Sequence, residues 1–240
     1  MAVEETNASR PADARAILAG HRLFASLTPA ERDRLVGKLR RRRCSPNEVI
    51  FRKGDAGSSM MAVTRGQVKI STYSGDGRGV VLNIIDTGEI FGEIALLDGK
   101  ERTADAHALG ETDLLVLERR DFLPLLERHP ALARRLLEIL CHRLRRTSEQ
   151  VEDQLFLVRP VRLAKTLLRL ADEFGTETED GIAIGVKLSQ GELGNLTGLT
   201  RESINKQLSE WRRKGLIRFH RGTLTLLDRT PLDRLVQDAI

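Results

Sequence analysis

Phe91-Gly92-Glu93-Ile94-Ala95-Leu96-Leu97-Asp98-Gly99-Lys100-Glu101-Arg102-Thr103-Ala104 is the stretch from which the rest of the chain can be read. Gly92 lets the backbone come close to a ligand. The apolar run behind Glu93 predicts a short helical turn whose first free N–H groups, around Ile94 and Ala95, face an anion. Arg102 can grip that anion through its planar fork, and Glu93 can accept from a sugar hydroxyl. Together they make a cassette for a small anionic sugar. A plainer reading is a helix end with a salt-bridged arginine on a β-rich framework.

Working outward, residues 48 to 118 read as strands: short β-branched runs broken by Gly54-Asp55, Arg65-Gly66, Ser74-Gly75-Asp76-Gly77, Thr87-Gly88 and Leu109-Gly110. Turn signals at that spacing predict a small antiparallel roll. Gly75-Asp76-Gly77 lacks the following helix of a dinucleotide fingerprint and reads as a hairpin turn. Upstream, Thr28 with Glu31 predicts a capping box opening a helix over 29–39, followed by the basic run Arg40-Arg41-Arg42-Arg43.

Downstream, Pro130 opens a predicted helix reaching about Leu157. Ala133, Leu137, Leu140, Leu144, Thr147, Val151 and Gln154 alternate at spacings of 4 and 3, a seam that asks for an identical parallel partner. A second stripe, Leu132, Leu136 and Ile139, can lie on the roll. Thr147 interrupts the seam with a hydroxyl and Ser148 sets another beside it. Either a polar ligand group meets them or each bonds its own helix carbonyl.

Beyond the hinge-like Phe156-Leu157-Val158-Arg159-Pro160, a helix is predicted over 161–174, then an acidic loop from Thr176 to Gly181. Ser189 with Glu192 caps a short helix, Gly198 turns the chain, and Thr200 caps a second helix from Arg201 to Lys214. This is a helix-turn-helix. Ile204, Leu208 and Trp211 fix one face of the second helix to the core. The opposite face offers Arg201, Glu202, Asn205 and Lys206, where an arginine can read guanine and a glutamate can accept from cytosine. Ser189 and Gln190 at the head of the first helix, with Thr200 and Ser203, complete the DNA-facing set. A wing from Leu216 to Leu226 turns at Arg221-Gly222, with Arg218 and Arg221 placed to hold phosphates. Between residues 201 and 221 seven basic residues meet two acidic ones, a local concentration of the chain's net charge of +5.

At 240 residues with 4% aromatic and 30% charged residues, the chain predicts two aliphatic-cored domains with soluble surfaces. The opening residues show no apolar signal segment, and no run approaches the ~18 apolar residues of a membrane span. Two cysteines, Cys44 and Cys141, make neither a disulfide framework nor a zinc site, and no metal or covalent cofactor is expected.

The cassette, seam and helix-turn-helix together resemble the cAMP receptor protein and FNR family of regulators, from about residue 20 to 227. Two cysteines do not supply the four thiolates of that family's iron–sulfur branch. The resemblance implies an α+β fold: a cyclic-nucleotide-binding β-roll (jelly-roll, 19–130) behind a disordered tail (1–18), a dimerisation helix and hinge (131–159), and a winged helix-turn-helix (160–240). It implies that Glu93 binds the ribose 2′-hydroxyl, Arg102 and Thr103 the cyclic phosphate, and Ile70, Leu82 and Asn83 the base. Thr147 from its own subunit and Ser148 from the partner would meet the adenine amino group. Between Glu93 and Arg102 the chain is one residue shorter than the best-studied relative. The resemblance also implies a reading triad of Arg, Glu and Arg on this helix; here Arg201 and Glu202 fill the first two places, Lys206 closes it and Ser203 replaces a phosphate-contacting threonine, so TGTGA-like half-sites are expected.

The expectation is therefore a cytoplasmic homodimer that binds cAMP as an allosteric ligand and double-stranded DNA, touches no membrane and is not an enzyme. RNA polymerase is a further expected partner, with the arginine run as a candidate contact. The alternatives are a family member that ignores cAMP or senses another small molecule, and the regulatory half of a cyclic-nucleotide-gated enzyme.

Overall fold

The computed structural model describes Leu18 and residues 20–239. Contacts divide the chain into two compact units, one comprising residues up to Ile70 with Asn83–His142, the other Ser71–Leu82 with Arg143 onward. Residues 1–17 of the expected tail lie outside the described residues. Leu18, its last member, is instead a core residue, 1% exposed in a cluster with Leu23 and Phe24.

In the first unit, helix α1 (Pro29–Val36) opens on the reciprocal box read from the sequence: Glu31 N donates to Thr28 Oγ1, and Thr28 N donates to the Glu31 carboxylate. The helix ends at Val36, short of residue 39. The chain must then extend, because Arg40–Cys44 is strand β1, paired antiparallel with β8 (Thr112–Glu118). The basic run is therefore a strand, and Arg40, Arg42 and Arg43 are spent in ion pairs with Glu118, Glu48 and Asp113.

Strands β2 (Val49–Phe51), β3 (Ser59–Arg65), β4 (Val68–Tyr73), β5 (Gly79–Ile85), β6 (Ile90–Phe91) and β7 (Asp105–Ala108) complete two four-stranded sheets, ordered β1-β8-β3-β6 and β2-β7-β4-β5. Strand β3 is buried on both faces. Successive side chains point to opposite sides, so Met60 and Ala62 join one core with Leu115, Leu117 and Phe122. Met61 and Val63 join the other, with Ile85, Phe91, Leu114 and Val116. Helix α2 (Glu93–Asp98) leaves this second core directly after Phe91.

Helices α3 (Arg119–Arg128) and α4 (Pro130–Phe156) follow. Leu132 and Leu136 of α4 are fully buried in the first core and Ile139 packs against it, which fulfils the second stripe. The seam lies on a different face: Leu137 is 60%, Leu144 69% and Val151 53% exposed.

In the second unit, α5 (Arg159–Phe174) starts with Pro160 in its first turn, where the missing N–H is harmless, and buries Leu163, Ala164, Leu167 and Leu170. The expected acidic loop is a hairpin instead. Strands β9 (Gly175–Thr178) and β10 (Gly181–Ile184) pair, and β10 continues onto the wing sheet, ordered β11-β12-β10-β9. Every β9 side chain is exposed, so no apolar alternation announces it. Helices α6 (Gln190–Thr197) and α7 (Arg201–Arg213) form the helix-turn-helix. Strands β11 (Ile217–His220) and β12 (Thr223–Leu226) form the wing. A final helix, α8 (Thr230–Gln237), escaped the sequence reading; it buries Leu232 and packs on α5, with Arg229 bridging Asp172 and Asp233. Among the described residues no helix is long and apolar enough to cross a membrane.

Candidate ligand and nucleic-acid sites

The cassette closes on itself through backbone bonds. Gly99 ends α2 in the left-handed region, Arg102 N donates to Asp55 O at 2.8 Å, and Gly54 N donates to Arg102 O at 2.9 Å. The one-residue-shorter loop thus still returns Arg102 to Gly92, whose carbonyl accepts from Nη1 at 2.7 Å. Nη2 donates to Ser59 Oγ at 3.2 Å, and the guanidinium lies over the Phe51 ring, 4.3 Å from its centroid. Arg102 is 5% and Glu93 1% exposed, and Arg102 Nε is buried without a hydrogen-bond partner. Burial pushes the Arg102 pKa down, opposed by the Glu93 carboxylate. A guanidinium stays charged regardless, so the site holds a desolvated cation with a donor unspent.

Gly92 is required twice over. Its φ is +77°, and a Cβ there would lie 2.6 Å from Arg102 Nη1. Within α2 Ala95 is buried, while Ile94 and, beyond the helix, Thr103 are exposed. Two members of the site escaped the sequence reading. Ser59 carried a usable signal, since a hydroxyl opening an otherwise apolar strand needs a partner. Phe51, an aromatic in a strand, carried none.

Of the residues expected at the base, Ile70 is half-buried against the core of Phe91, and the Asn83 side chain accepts from the next backbone N–H, Ile84 N, at 3.0 Å. Leu82, Thr147 and Ser148 belong to the second unit, and Leu82 is half-buried there. Thr147 Oγ1 donates to Arg143 O at 3.0 Å and Ser148 Oγ to Leu144 O at 3.1 Å, both on exposed helix surface.

The reading end is built by its caps. Ser189 and Glu192 exchange hydrogen bonds around the start of α6, and Thr200 Oγ1 accepts from Ser203 N at 3.2 Å to start α7. Gly194 permits the tight turn, because a Cβ there would sit 2.6 Å from Leu199 O. Ile204, Leu208 and Trp211 are buried as expected, which leaves Arg201, Glu202, Asn205 and Lys206 exposed on α7. Gln190 Nε2 donates to Asn205 Oδ1 at 3.2 Å, bringing two of the DNA-facing candidates together.

At the wing tip Arg221 and Gly222 have φ of +47° and +81° between the paired His220 and Thr223, the primed turn of a two-residue hairpin. Arg218 pairs with Asp180 at 2.8 Å, so its charge is partly spent within the protein. Beside the head of α7 a cleft of about 500 Å³ is lined by Arg159, Arg162, Thr200, Glu202, Ser203 and Lys206. Arg159 and Arg162 were passed over in the sequence. Their signal was present: an Arg-Pro-x-Arg opening to a helix with no acid in its first turn.

Two family models match the chain: a cyclic nucleotide-binding domain over residues 41–129 and a Crp-like helix-turn-helix domain over residues 161–235. The chain is 30% identical over 218 residues to a CRP-like cAMP-activated global transcriptional regulator of Mycobacterium tuberculosis, covering 91% of this chain and 97% of that one. It is 31% identical over 216 residues to a cyclic AMP receptor protein of Thermus thermophilus, covering 90% and 97%. A solved CRP/FNR-family transcriptional regulator, also from Thermus thermophilus, superposes with a TM-score of 0.70 at 26% identity, covering 84% of this chain and all of that one.

Proposed function

Because the chain belongs to the CRP/FNR family of transcriptional regulators, we propose that it is a cAMP-responsive homodimer that reads palindromic DNA with TGTGA-like half-sites. It acts in the cytoplasm with RNA polymerase as a partner and performs no catalysis. The carrying observation is Arg102. A purely structural buried arginine distributes its donors, whereas this one keeps Nε unpartnered beside the carboxylate of Glu93, in a fold whose family model is a nucleotide-binding one. An unmet buried donor costs about 1–3 kcal/mol, which an incoming phosphate oxygen would relieve.

The direction of two hydrogen bonds supports the choice of adenine. A carbonyl only accepts, so Thr147 and Ser148 each give their single hydroxyl proton to the helix, and what they present outward is an acceptor oxygen. An acceptor favours the amino group of adenine and disfavours the carbonyl of guanine. The exposed leucines of α4 support the dimer, since burying such a side chain contributes roughly 1.5–3 kcal/mol. Nucleotide bound differently in two states would then bias how a pair of α7 helices meets successive major grooves, about 34 Å apart.

Calorimetry with cAMP and cGMP, paired with mobility shift on a palindromic duplex, tests this. Saturable cAMP binding at least tenfold tighter than cGMP, with nucleotide-dependent shift, is expected. A flat cAMP titration of folded protein, with site-specific shift unchanged by nucleotide, removes the messenger. Preference for cGMP overturns the hydroxyl argument alone.

A further inference from the structure

We infer that the cleft between the start of α5 and the start of α7 is a phosphate site: Arg159 and Arg162 clamp a backbone phosphodiester of the duplex whose bases α7 reads. This rests on the DNA-reading function proposed above and extends the interface beyond the helix-turn-helix.

Three observations carry it. First, three cations converge on one cleft, Arg159, Arg162 and Lys206, with the hydroxyl-bearing Thr200 and Ser203 on the same wall and a single carboxylate, Glu202. Many cations of this unit are spent on acids: Lys165 on Asp153, Arg169 on Glu173, Lys214 on Glu210, Arg218 on Asp180 and Arg229 on Asp172. Among the described residues, none of the three cleft cations has such a pair. Second, Arg162 is under-used. Its one side-chain hydrogen bond is a long one, Nη1 to Gln154 O at 3.5 Å, and its Nε is buried without a partner.

Third, the placement is electrostatically unfavourable without a ligand. Arg159 and Arg162 lie in the first turn of a sixteen-residue helix that has no acid there, against the positive end of the helix dipole. Helix starts favour Asp and Glu, so two arginines are opposed by the local field unless an anion joins them. Exposed Glu202 stands beside them as the cytosine acceptor proposed above; the cleft as a whole stays net positive. The occupant chemistry is a phosphate oxyanion, and its source is the duplex, because the cleft shares Lys206 and Glu202 with the base-reading face of α7.

The full-length dimer is tested by fluorescence anisotropy on a specific and a random duplex across a salt series, comparing wild type with Arg159→Gln, Arg162→Gln and the double variant. Each phosphate contact contributes about 0.9 to the slope of log affinity against log salt. The slope should therefore shallow by about 1 per variant and about 2 for the pair. The loss should be equal on both duplexes, because phosphates carry no sequence information. Thermal melts superimposable with wild type, and rescue of most of the slope by Arg159→Lys with Arg162→Lys, separate a contact from misfolding.

Slopes unchanged in the double variant overturn the clamp while leaving the reading helix intact. A loss confined to the specific duplex also overturns it, since it assigns these arginines to bases. Wild-type protein that binds neither duplex overturns the DNA-reading function itself. Inorganic phosphate titrated into the protein provides the other arm. Millimolar phosphate stabilising wild type but not the double variant, with DNA slopes unaltered, marks a free-phosphate site and overturns the duplex assignment.

Discussion

The two halves of this chain hold the cations proposed to meet their anionic ligands in opposite ways. Arg102 is buried, 5% exposed, fixed by Gly92 O and Ser59 Oγ, and stacked on Phe51. Arg201, Arg221 and Arg159 are exposed, each on a helix head or a wing tip. A buried cation is stripped of water before its ligand arrives, so its bond is strong, geometrically strict and nearly blind to salt. Exposed cations interact weakly one by one, and their sum is set by ionic strength. The contrast matches the two tasks. A small ligand must be recognised by a few contacts, whereas a duplex offers many phosphates and needs only its bases read strictly.

The largest effect belongs to the buried side. Arg102→Gln should weaken cAMP binding by about 2–5 kcal/mol, the usual penalty for truncating one partner of a desolvated charge–ligand pair. Calorimetry at two salt concentrations should show the loss unchanged; a loss that vanishes at high salt would place Arg102 with the exposed class. Next comes His21, 3% exposed, whose pKa burial lowers to about 4 while the Glu89 backbone opposes the shift. Its folded value lies below the unfolded 6.5, so the unfolded chain takes up the proton first. The contribution is present in full above pH 6.5 and is lost as pH falls through 6.5 toward 4, roughly 3 kcal/mol in all. Urea melts across that window should show the decline, and His21→Asn, which can still accept from Leu23 N, should flatten it.

On the exposed side, Arg201→Ala should cost about 1–3 kcal/mol on the specific duplex and little on random DNA, read by anisotropy. Equal losses on both would demote Arg201 to a phosphate contact and erase its distinction from the arginines of α5.

The same contrast explains what could be read in the sequence. The helix-turn-helix was legible nearly to the residue, because its signals are local: Ser189 with Glu192, Gly198, Thr200, and Ile204, Leu208 and Trp211 at helical spacing. Glu93 and Arg102 were legible as chemistry, but what grips Arg102 was not. Phe51 and Ser59 meet it from strands about fifty and forty residues upstream, through sheet pairings that no short motif encodes. Arg40–Arg43 was legible as a solvent-facing charge run but not as a strand, because the pairing with β8 opposite, where Asp113 and Glu118 meet Arg43 and Arg40, comes from some seventy residues downstream. Strand β9 and helix α8 were missed for related reasons. One shows no buried face, and the other is short and held by tertiary contacts to α5.

The smallest predicted effect separates stability from function at a single wing residue. Arg221 holds φ of +47°, a region that a long side chain disfavours and asparagine tolerates. Arg221→Asn should therefore stabilise the second unit by several tenths of a kcal/mol, seen as a small rise in melting temperature. The same change should reduce the salt slope on any duplex by about 1, since a phosphate contact disappears. A protein that keeps a strained arginine where asparagine fits better is using its charge. If Arg221→Asn stabilises the fold and leaves the slope untouched, the wing tip is only a turn, and the exposed set contracts to the two helix heads.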